Sequence, residues 1–425
     1  MGSKSGQLHI FFFPFMAQGH MIPAIDMAKL FAARGVKATF VTTPLNMPVV
    51  SKTIEKTKAC GINIDIKIIK FPAVEAGLLE GYMIPTFVLA TSMLRQPLEE
   101  LIQEYQPSCI VADVLFPWAV DVATKFGIPR LEFYGCNCQD FTRQEVETDF
   151  SKFMKEASES VLRSYGVVVN SFYELEPDYI DYYRNVLGRK AWHLGPVSLC
   201  NKDTKDKAQR GKEASIDEHE CLKWLATKKP NSVYIFVLGV RQNLVIPNSW
   251  RLQWVLRQFI WVVRKGKNEK AEEDWLPKES EKRMEGKELI IRGWARQVLI
   301  LDHEAVGGFV THCGWNSTLE GVAAGVPMVT WPVAAEQFYN EKLVTQVLKI
   351  GVSVGAQQWI RMVGDGIKRE AIQKAKRQIT VGEEAKEMRG KAKVLGEMAR
   401  RVIEEGGSSY SDLNALIEEL KSHCP

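Results

Sequence analysis

The residues whose types and spacing could carry chemistry are concentrated between Trp294 and Gln337, in the stretch WARQVLILDHEAVGGFVTHCGWNSTLEGVAAGVPMVTWPVAAEQ. Its centre reads as a strand over Gly308–Thr311, a tight turn at His312-Cys313-Gly314-Trp315, and a helix. That helix opens at Asn316-Ser317-Thr318, runs to Ala324 and is closed by Gly325 and Pro327. The first N–H groups of a helix have no partner within it, and the helix dipole favours negative charge there, so a strand–turn–helix of this kind is an anion site suited to a diphosphate. His312, Asn316 and Ser317 stand where they could add side-chain donors. Ser317-Thr318-Leu319-Glu320 also fits the S-x-x-E capping box, in which Glu320 does no more than cap. The tetrapeptide alone does not separate the two readings. Trp294 offers a face on which a base could stack, and Glu336-Gln337 places two polar groups beyond the next strand, Pro327–Trp331. Ligands of open parallel sheets sit outside the carboxyl ends of strands.

Two residues in the first half could do acid–base work. His20 follows the first apolar strand, Leu8–Phe13, in the loop Met16-Ala17-Gln18-Gly19-His20-Met21-Ile22-Pro23. Asp113 ends a second buried strand, Cys109–Ala112. A histidine before a helix is as readily a cap or a packing residue, and an aspartate after a strand is as readily the N-cap of the next helix. The loop lacks G-x-G-x-x-G, so a dinucleotide fingerprint is absent.

The elements that must position these residues alternate strand and helix. Leu8–Phe13 is followed by an amphipathic helix over Pro23–Arg34, stopped by Gly35, and by a strand over Lys37–Val41. Ile62–Ile68 alternates apolar and polar residues and reads as a half-exposed strand, Phe87–Gln106 as a helix, and Gly166–Asn170 as a strand. The stretch 201–220 is charged and poor in apolar residues, and reads as an exposed linker. Strands over Val233–Val237, Phe259–Val263 and Leu289–Ile291 then lead into the Trp294–Gln337 box. Gly366–Glu404 is largely helical with solvated charged faces, and Ser408–Leu420 is a last amphipathic helix. Strand–helix–strand units imply parallel sheets covered by helices on both faces, and 425 residues exceed one ordinary core. The expected fold is therefore α/β with two domains.

Composition excludes several classes. Fifty-five Lys and Arg against 51 Asp and Glu leave a net charge of +4, too weak to imply nucleic acid or an acidic membrane as partner. The eight cysteines are scattered without a C-x-x-C and the seven histidines lack metal-ligand spacing, which points to a reduced, cytoplasmic protein with no metal site. The apolar run Ile10–Met16 is short, contains Pro14 and lacks a cleavage site, so it reads as a buried strand and not as a signal peptide. No stretch approaches the ~18 apolar residues of a membrane span.

Nearly residue for residue, the box from 294 to 337 resembles the signature of plant family-1 UDP-sugar glycosyltransferases. The resemblance extends to the His20 loop, the Asp113 strand, Val167-Val168-Val169-Asn170-Ser171-Phe172 and Glu404-Glu405-Gly406-Gly407-Ser408-Ser409, and so covers nearly the whole chain. It implies the GT-B fold, two Rossmann-like parallel-sheet domains facing each other across a cleft. The domains would be residues 1–200 for the acceptor, a linker at 201–220, residues 221–405 for the UDP-sugar, and a helix at 406–425 packing back on the first domain. It implies that Trp294 stacks on uracil with Ala295 and Gln297 beside it, and that Glu320 takes the ribose hydroxyls. His312, Asn316 and Ser317 would hold the diphosphate, with Gly19 also in the UDP-sugar site. Trp315, Glu336 and Gln337 would hold the sugar, Gln337 leaning toward glucose. His20 would be the catalytic base and Asp113 its partner.

The expected reaction is transfer of glucose from UDP-glucose, a co-substrate, to a small phenolic acceptor such as a flavonoid or coumarin. It would invert the anomeric configuration, need no metal or cofactor, and be carried out by a monomer. Four places depart from the family pattern. Val240 stands where a serine usually reaches the phosphates; 241–258 does not read as the usual helix; Arg296 replaces a proline; and the first half is short around Gly77–Thr86 and after Cys136. The alternative they open is a UDP-sugar-binding protein with little or no transferase activity.

Overall fold

The computed structural model describes residues 7–59, 61–70, 90–134, 149–237, 258–263, 288–357, 367 and 369–423. The expectations attached to Val240, 241–257, 77–86, the stretch after Cys136, Phe87–Leu89 and Gly366 lie outside them. The chain divides into two compact units, 1–201 together with 402–425, and 202–401.

The first unit holds a seven-stranded sheet of β1 (His9–Phe13), β2 (Lys37–Thr42), β3 (Ile64–Ile68), β4 (Cys109–Asp113), β5 (Arg130–Tyr134), β6 (Gly166–Val169) and β7 (Ala191–His193). Its order is β3-β2-β1-β4-β5-β6-β7, with every pair parallel. β1 explains the layering. Successive side chains of a strand point to opposite faces. Accordingly Ile10 and Phe12 join a core with Phe31 of the Gln18–Ala32 helix. Phe11 and Phe13 join another with Leu98, Ile102, Phe116 and Val122. A strand buried on both faces is read as one apolar run, and β1 is buried at all five positions. β3 lies at the sheet edge and is only partly buried, with Ile64 buried but Ile68 exposed at its end.

The second unit holds β8 (Val233–Val237), β9 (Phe259–Val263), β10 (Glu288–Arg292), β11 (Val306–Thr311), β12 (Met328–Thr330) and β13 (Gly351–Ser353), in the order β10-β9-β8-β11-β12-β13, again parallel throughout. Both units are thus Rossmann-like. In each, the first strand of the sheet lies beside the fourth, and the connections on either side of that seam run in opposite directions. This is the topological switch point where open α/β sheets bind ligands.

The C-terminal helix Ser408–His423 belongs to the first unit. Leu413, Leu416, Ile417 and Leu420 enter the core of Ile10, Phe31 and Trp192. Asp412 Oδ2 accepts from Arg184 at 2.5 Å and from the His193 backbone at 2.8 Å, and the Ser409 hydroxyl donates to the Gly195 carbonyl at 2.7 Å.

Three expectations are corrected. The first helix starts at Gln18 and not at Pro23, because Ala17 is its extended N-cap and its carbonyl accepts from the His20 and Met21 N–H groups; His20 therefore stands in the first helical turn. The stretch 201–220 is no exposed linker. It contains a helix at Thr204–Gln209, capped by Asp203, and the start of another at Glu218–Ala226, and Asn201 and Ala208 are buried. Many of its charges are exposed, but Lys207 and Arg210 are spent on ion pairs described below. Finally, Val402–Glu405 goes with the first unit and not with the second.

Candidate active site

In the first unit the switch point lies between β1 and β4, and the two acid–base candidates come from the ends of those strands. His20 Nδ1 is 2.7 Å from Asp113 Oδ2; the histidine side chain is 30% exposed and the aspartate fully buried. Asp113 is fixed on every side. Its Oδ1 accepts from Leu115 N at 3.1 Å, its Oδ2 also accepts from Phe15 N at 3.3 Å, and its carbonyl accepts from Arg130 Nη2 at 3.0 Å. It is not the N-cap of the following helix, Ala119–Lys125, whose N-cap is Trp118. A carboxylate at Nδ1 holds the imidazole proton there, which makes Nε2 the proton-accepting nitrogen. Phe15 meets the imidazole edge-on at 5.2 Å and is itself 6.1 Å from Phe116, so an apolar aromatic wall adjoins the histidine.

Behind Asp113 lies a group that sequence reading missed. Arg130 and Glu132, both on β5 and both buried, pair at 3.0 Å, and the same guanidinium nitrogen donates to Ser160 and Ser164. Burial pushes the Glu132 carboxyl up to about 7, against the pull of Arg130. Alternating charges in a buried strand were the available signal: Arg130 and Glu132 face the same side, two residues apart.

In the second unit β11 runs into the turn and then the helix Trp315–Ala324. Cys313 takes a left-handed conformation at φ +64°, held by its N–H on Thr311 Oγ1 at 3.1 Å and by Asn340 Nδ2 on its carbonyl at 2.8 Å. A non-glycine residue there is strained, and such strain persists where surrounding bonds over-determine it. Gly314 is the N-cap, and a Cβ there would come within 2.6 Å of His312 Nε2. The glycine thus lets the imidazole lie across the helix end. His312 Nδ1 is 3.4 Å from the Val237 carbonyl at the end of β8, the other strand of this switch point. Asn316 and Ser317 occupy the first helical turn. Burial raises the Cys313 thiol far above its ordinary range, so it is no nucleophile.

The capping-box reading of Glu320 fails. The helix begins at Trp315, the N-cap makes no side-chain hydrogen bond, and Glu320 sits in the second turn. Its oxygens instead accept from Arg210 Nη1 and from Gln297 Nε2, each at 2.6 Å, and Gln297 Nε2 also reaches Ser317 Oγ at 3.2 Å. Gln297 thus lies against the helix, Ala295 is buried, and Trp294 has its indole N–H buried and unpartnered.

Two sugar-site expectations need restating. Trp315 is buried, and its backbone N–H stands at the first helical position. Gln337 Oε1 accepts from Val333 N at 2.8 Å and Ala334 N at 3.0 Å, which leaves its amide NH2 as the group that could meet a sugar hydroxyl. Glu336 is the N-cap of the Gln337–Lys342 helix. Gly19 lies in the first unit, one residue before His20. Arg296, the departure within the box, donates to the carbonyls of Ala208 at 2.8 Å and Ile216 at 2.7 Å, two anchors that a proline would lack. Among the described residues no cluster of His, Cys, Asp or Glu could hold a metal ion, and no helix is long and apolar enough to cross a membrane.

Comparison with known proteins agrees with this fold. Residues 270–366 match the family described as UDP-glucoronosyl and UDP-glucosyl transferase. The chain is 50% identical to scopoletin glucosyltransferase of Nicotiana tabacum, over 98% of this chain and 99% of that protein. It is 48% identical to anthocyanin 3'-O-beta-glucosyltransferase of Gentiana triflora, over 98% and 99%. The first of these alignments has 473 positions against 425 residues here, so at least 48 positions (473 − 425) have no counterpart in this chain. Among solved structures, UGT73P12 of Glycyrrhiza uralensis, complexed with glycyrrhetinic acid 3-O-monoglucuronide, superposes with a TM-score of 0.88 at 35% identity over 98% of this chain and 96% of that one. UGT89C1 of Arabidopsis thaliana, complexed with UDP-L-rhamnose, does so with a TM-score of 0.81 at 28% identity over 98% and 99%. Near-complete coverage at half identity, together with two Rossmann-like units of which the second carries the signature turn, means that the chain belongs to the plant UDP-glycosyltransferase family and is an enzyme of that class.

Proposed function

We propose that the enzyme transfers glucose from UDP-glucose to a hydroxyl of a small phenolic acceptor, with inversion at the anomeric carbon and without a metal or cofactor. The observation that carries the proposal is the 2.7 Å contact between His20 Nδ1 and the buried Asp113 at the β1–β4 switch point. His20 Nε2 takes the proton of the acceptor hydroxyl as its oxygen forms a bond to the anomeric carbon. Asp113 keeps the ring oriented and stabilises the imidazolium, the division of labour of a Ser-His-Asp triad without a protein nucleophile. The bond from the anomeric carbon to the diphosphate breaks on the opposite face, and UDP leaves with the electron pair. The helix end at Trp315, with His312, Asn316 and Ser317, offers hydrogen bonds and positive charge to the diphosphate as its negative charge grows. Trp294 and Gln297 receive the uracil, Glu320 the ribose, and Glu336 with the Gln337 amide the sugar. The acceptor class is supported by the aromatic wall of Phe15 and Phe116 and by relatives named for scopoletin and anthocyanin.

The test is mass spectrometry of the purified protein incubated with UDP-glucose and a panel of phenols, without added metal. The expected product is heavier than one of the phenols by one hexose. Absence of product, with UDP binding retained in the same sample, would favour a protein that binds the nucleotide sugar without transferring it.

A further inference from the structure

The stretch 207–216 is tied to the box at several points. Lys207 Nζ pairs with Asp302 Oδ2 at 2.6 Å, the Ala208 and Ile216 carbonyls accept from Arg296, and Ser215 N donates to the Trp294 carbonyl at 3.2 Å. Gly293 takes φ +126°, a conformation that favours glycine, and the Ser215 hydroxyl lies against it. Between these ties Arg210 reaches Glu320, and both side chains are at least nine-tenths buried. An exposed ion pair contributes little, but a buried one is directional: each charge left alone would be costly, so the pair holds its geometry.

From these contacts we infer that Arg210 is a positioning residue for the donor, fixing the Glu320 carboxylate so that it reads the two adjacent hydroxyls of a ribose. The inference rests on the reading that Glu320 receives the ribose. A carboxylate offers about four lone-pair sites. Arg210 takes one on Oε1 and Gln297 takes one on Oε2. One site remains on each oxygen, matching a cis-diol with its two parallel O–H donors. Gln297 is itself steadied by Ser317. Without Arg210 the carboxylate keeps one anchor, can rotate, and can turn its second oxygen to water.

The experiment is isothermal titration of the full-length protein with UDP and with 2'-deoxy-UDP, for the unaltered chain and for Arg210→Met, Arg210→Lys and Glu320→Gln. Arg210→Met retains the aliphatic stem that packs in the segment. The unaltered chain is expected to prefer UDP by about tenfold or more, the worth of one hydrogen bond to a charged group. Glu320→Gln should lose most of that preference. Arg210→Met should lose at least about threefold of it, and Arg210→Lys, which keeps the charge but replaces the rigid planar guanidinium with a rotatable ammonium on a flexible stem, should lie between. A purely structural role for Arg210 would weaken UDP and 2'-deoxy-UDP by the same factor in both Arg210 variants, and that outcome, or unchanged affinities, overturns the inference. If Glu320→Gln keeps the full preference for UDP, the ribose reading itself is wrong and the inference falls with it.

Discussion

Asp113→Asn is the substitution whose effect can be worked most fully from the structure. The Asp113 carboxylate accepts three hydrogen bonds, from His20 Nδ1 at 2.7 Å, Leu115 N at 3.1 Å and Phe15 N at 3.3 Å. An amide has one oxygen and one NH2. With its oxygen toward His20 and Phe15, its NH2 opposes the Leu115 N–H. Turned the other way, its NH2 opposes the Phe15 N–H and donates to Nδ1, which forces the imidazole into the tautomer protonated at Nε2 and unable to accept a proton. In either orientation the imidazolium loses its charged partner. A hydrogen bond to a charged group is worth about 1.5–3 kcal/mol. At about 1.4 kcal/mol per factor of ten, kcat should fall by ~10- to 150-fold, and further if the wrong tautomer dominates. Initial rates of glucoside formation with saturating UDP-glucose, measured beside UDP affinity, would check this. A variant with kcat within about threefold of the unaltered enzyme would refute the pairing of Asp113 with a catalytic His20.

Further predictions concern the scaffold. Asp412→Asn should destabilise the first unit by about 2 kcal/mol, because it removes the charged acceptor of Arg184 and the His193 backbone that anchors the C-terminal helix; chemical unfolding followed by intrinsic fluorescence would report it. Glu176 is buried and accepts from Ser171, and burial raises its carboxyl from 4.5 to about 7 despite that hydrogen bond. Because the folded form holds the proton more tightly than the unfolded chain, this group favours the folded state below about pH 4.5 and loses that contribution as pH rises through 7. Glu176→Gln should therefore flatten the fall in melting temperature between about pH 5 and 8, and an unchanged slope would assign the pH dependence elsewhere.

How much could be read from the chain depends on how far apart the determinants lie. Buried strands such as β1 and β4 carry their own signature in continuous apolar runs, and the turn before Trp315–Ala324 is written in one contiguous stretch. His20 and Asp113 are 93 positions apart, and only parallel pairing of β1 with β4 brings them together. No local pattern carries that, and the resemblance to a family supplied it. The helix start was misread because Pro23 resembles a first-turn proline, whereas the Ala17 carbonyl already closes a turn before it. The segment 201–220 was misread because charge density looks the same in a solvated linker and in one whose charges meet partners about 100 residues on, as Lys207 meets Asp302 and Arg210 meets Glu320. Glu320 was ambiguous because S-x-x-E fits a cap wherever a helix might begin, and the actual first residue, Trp315, lies two positions earlier than Ser317.

The central claim is that His20 takes the acceptor proton in a glucosyl transfer. Its most direct test is His20→Ala, with hexose transfer from UDP-glucose measured by mass spectrometry and UDP affinity measured by calorimetry on the same preparation. The account predicts a rate lower by about 10²–10⁴-fold with UDP affinity unchanged. Transfer at the rate of the unaltered enzyme, with UDP bound equally well, would contradict it.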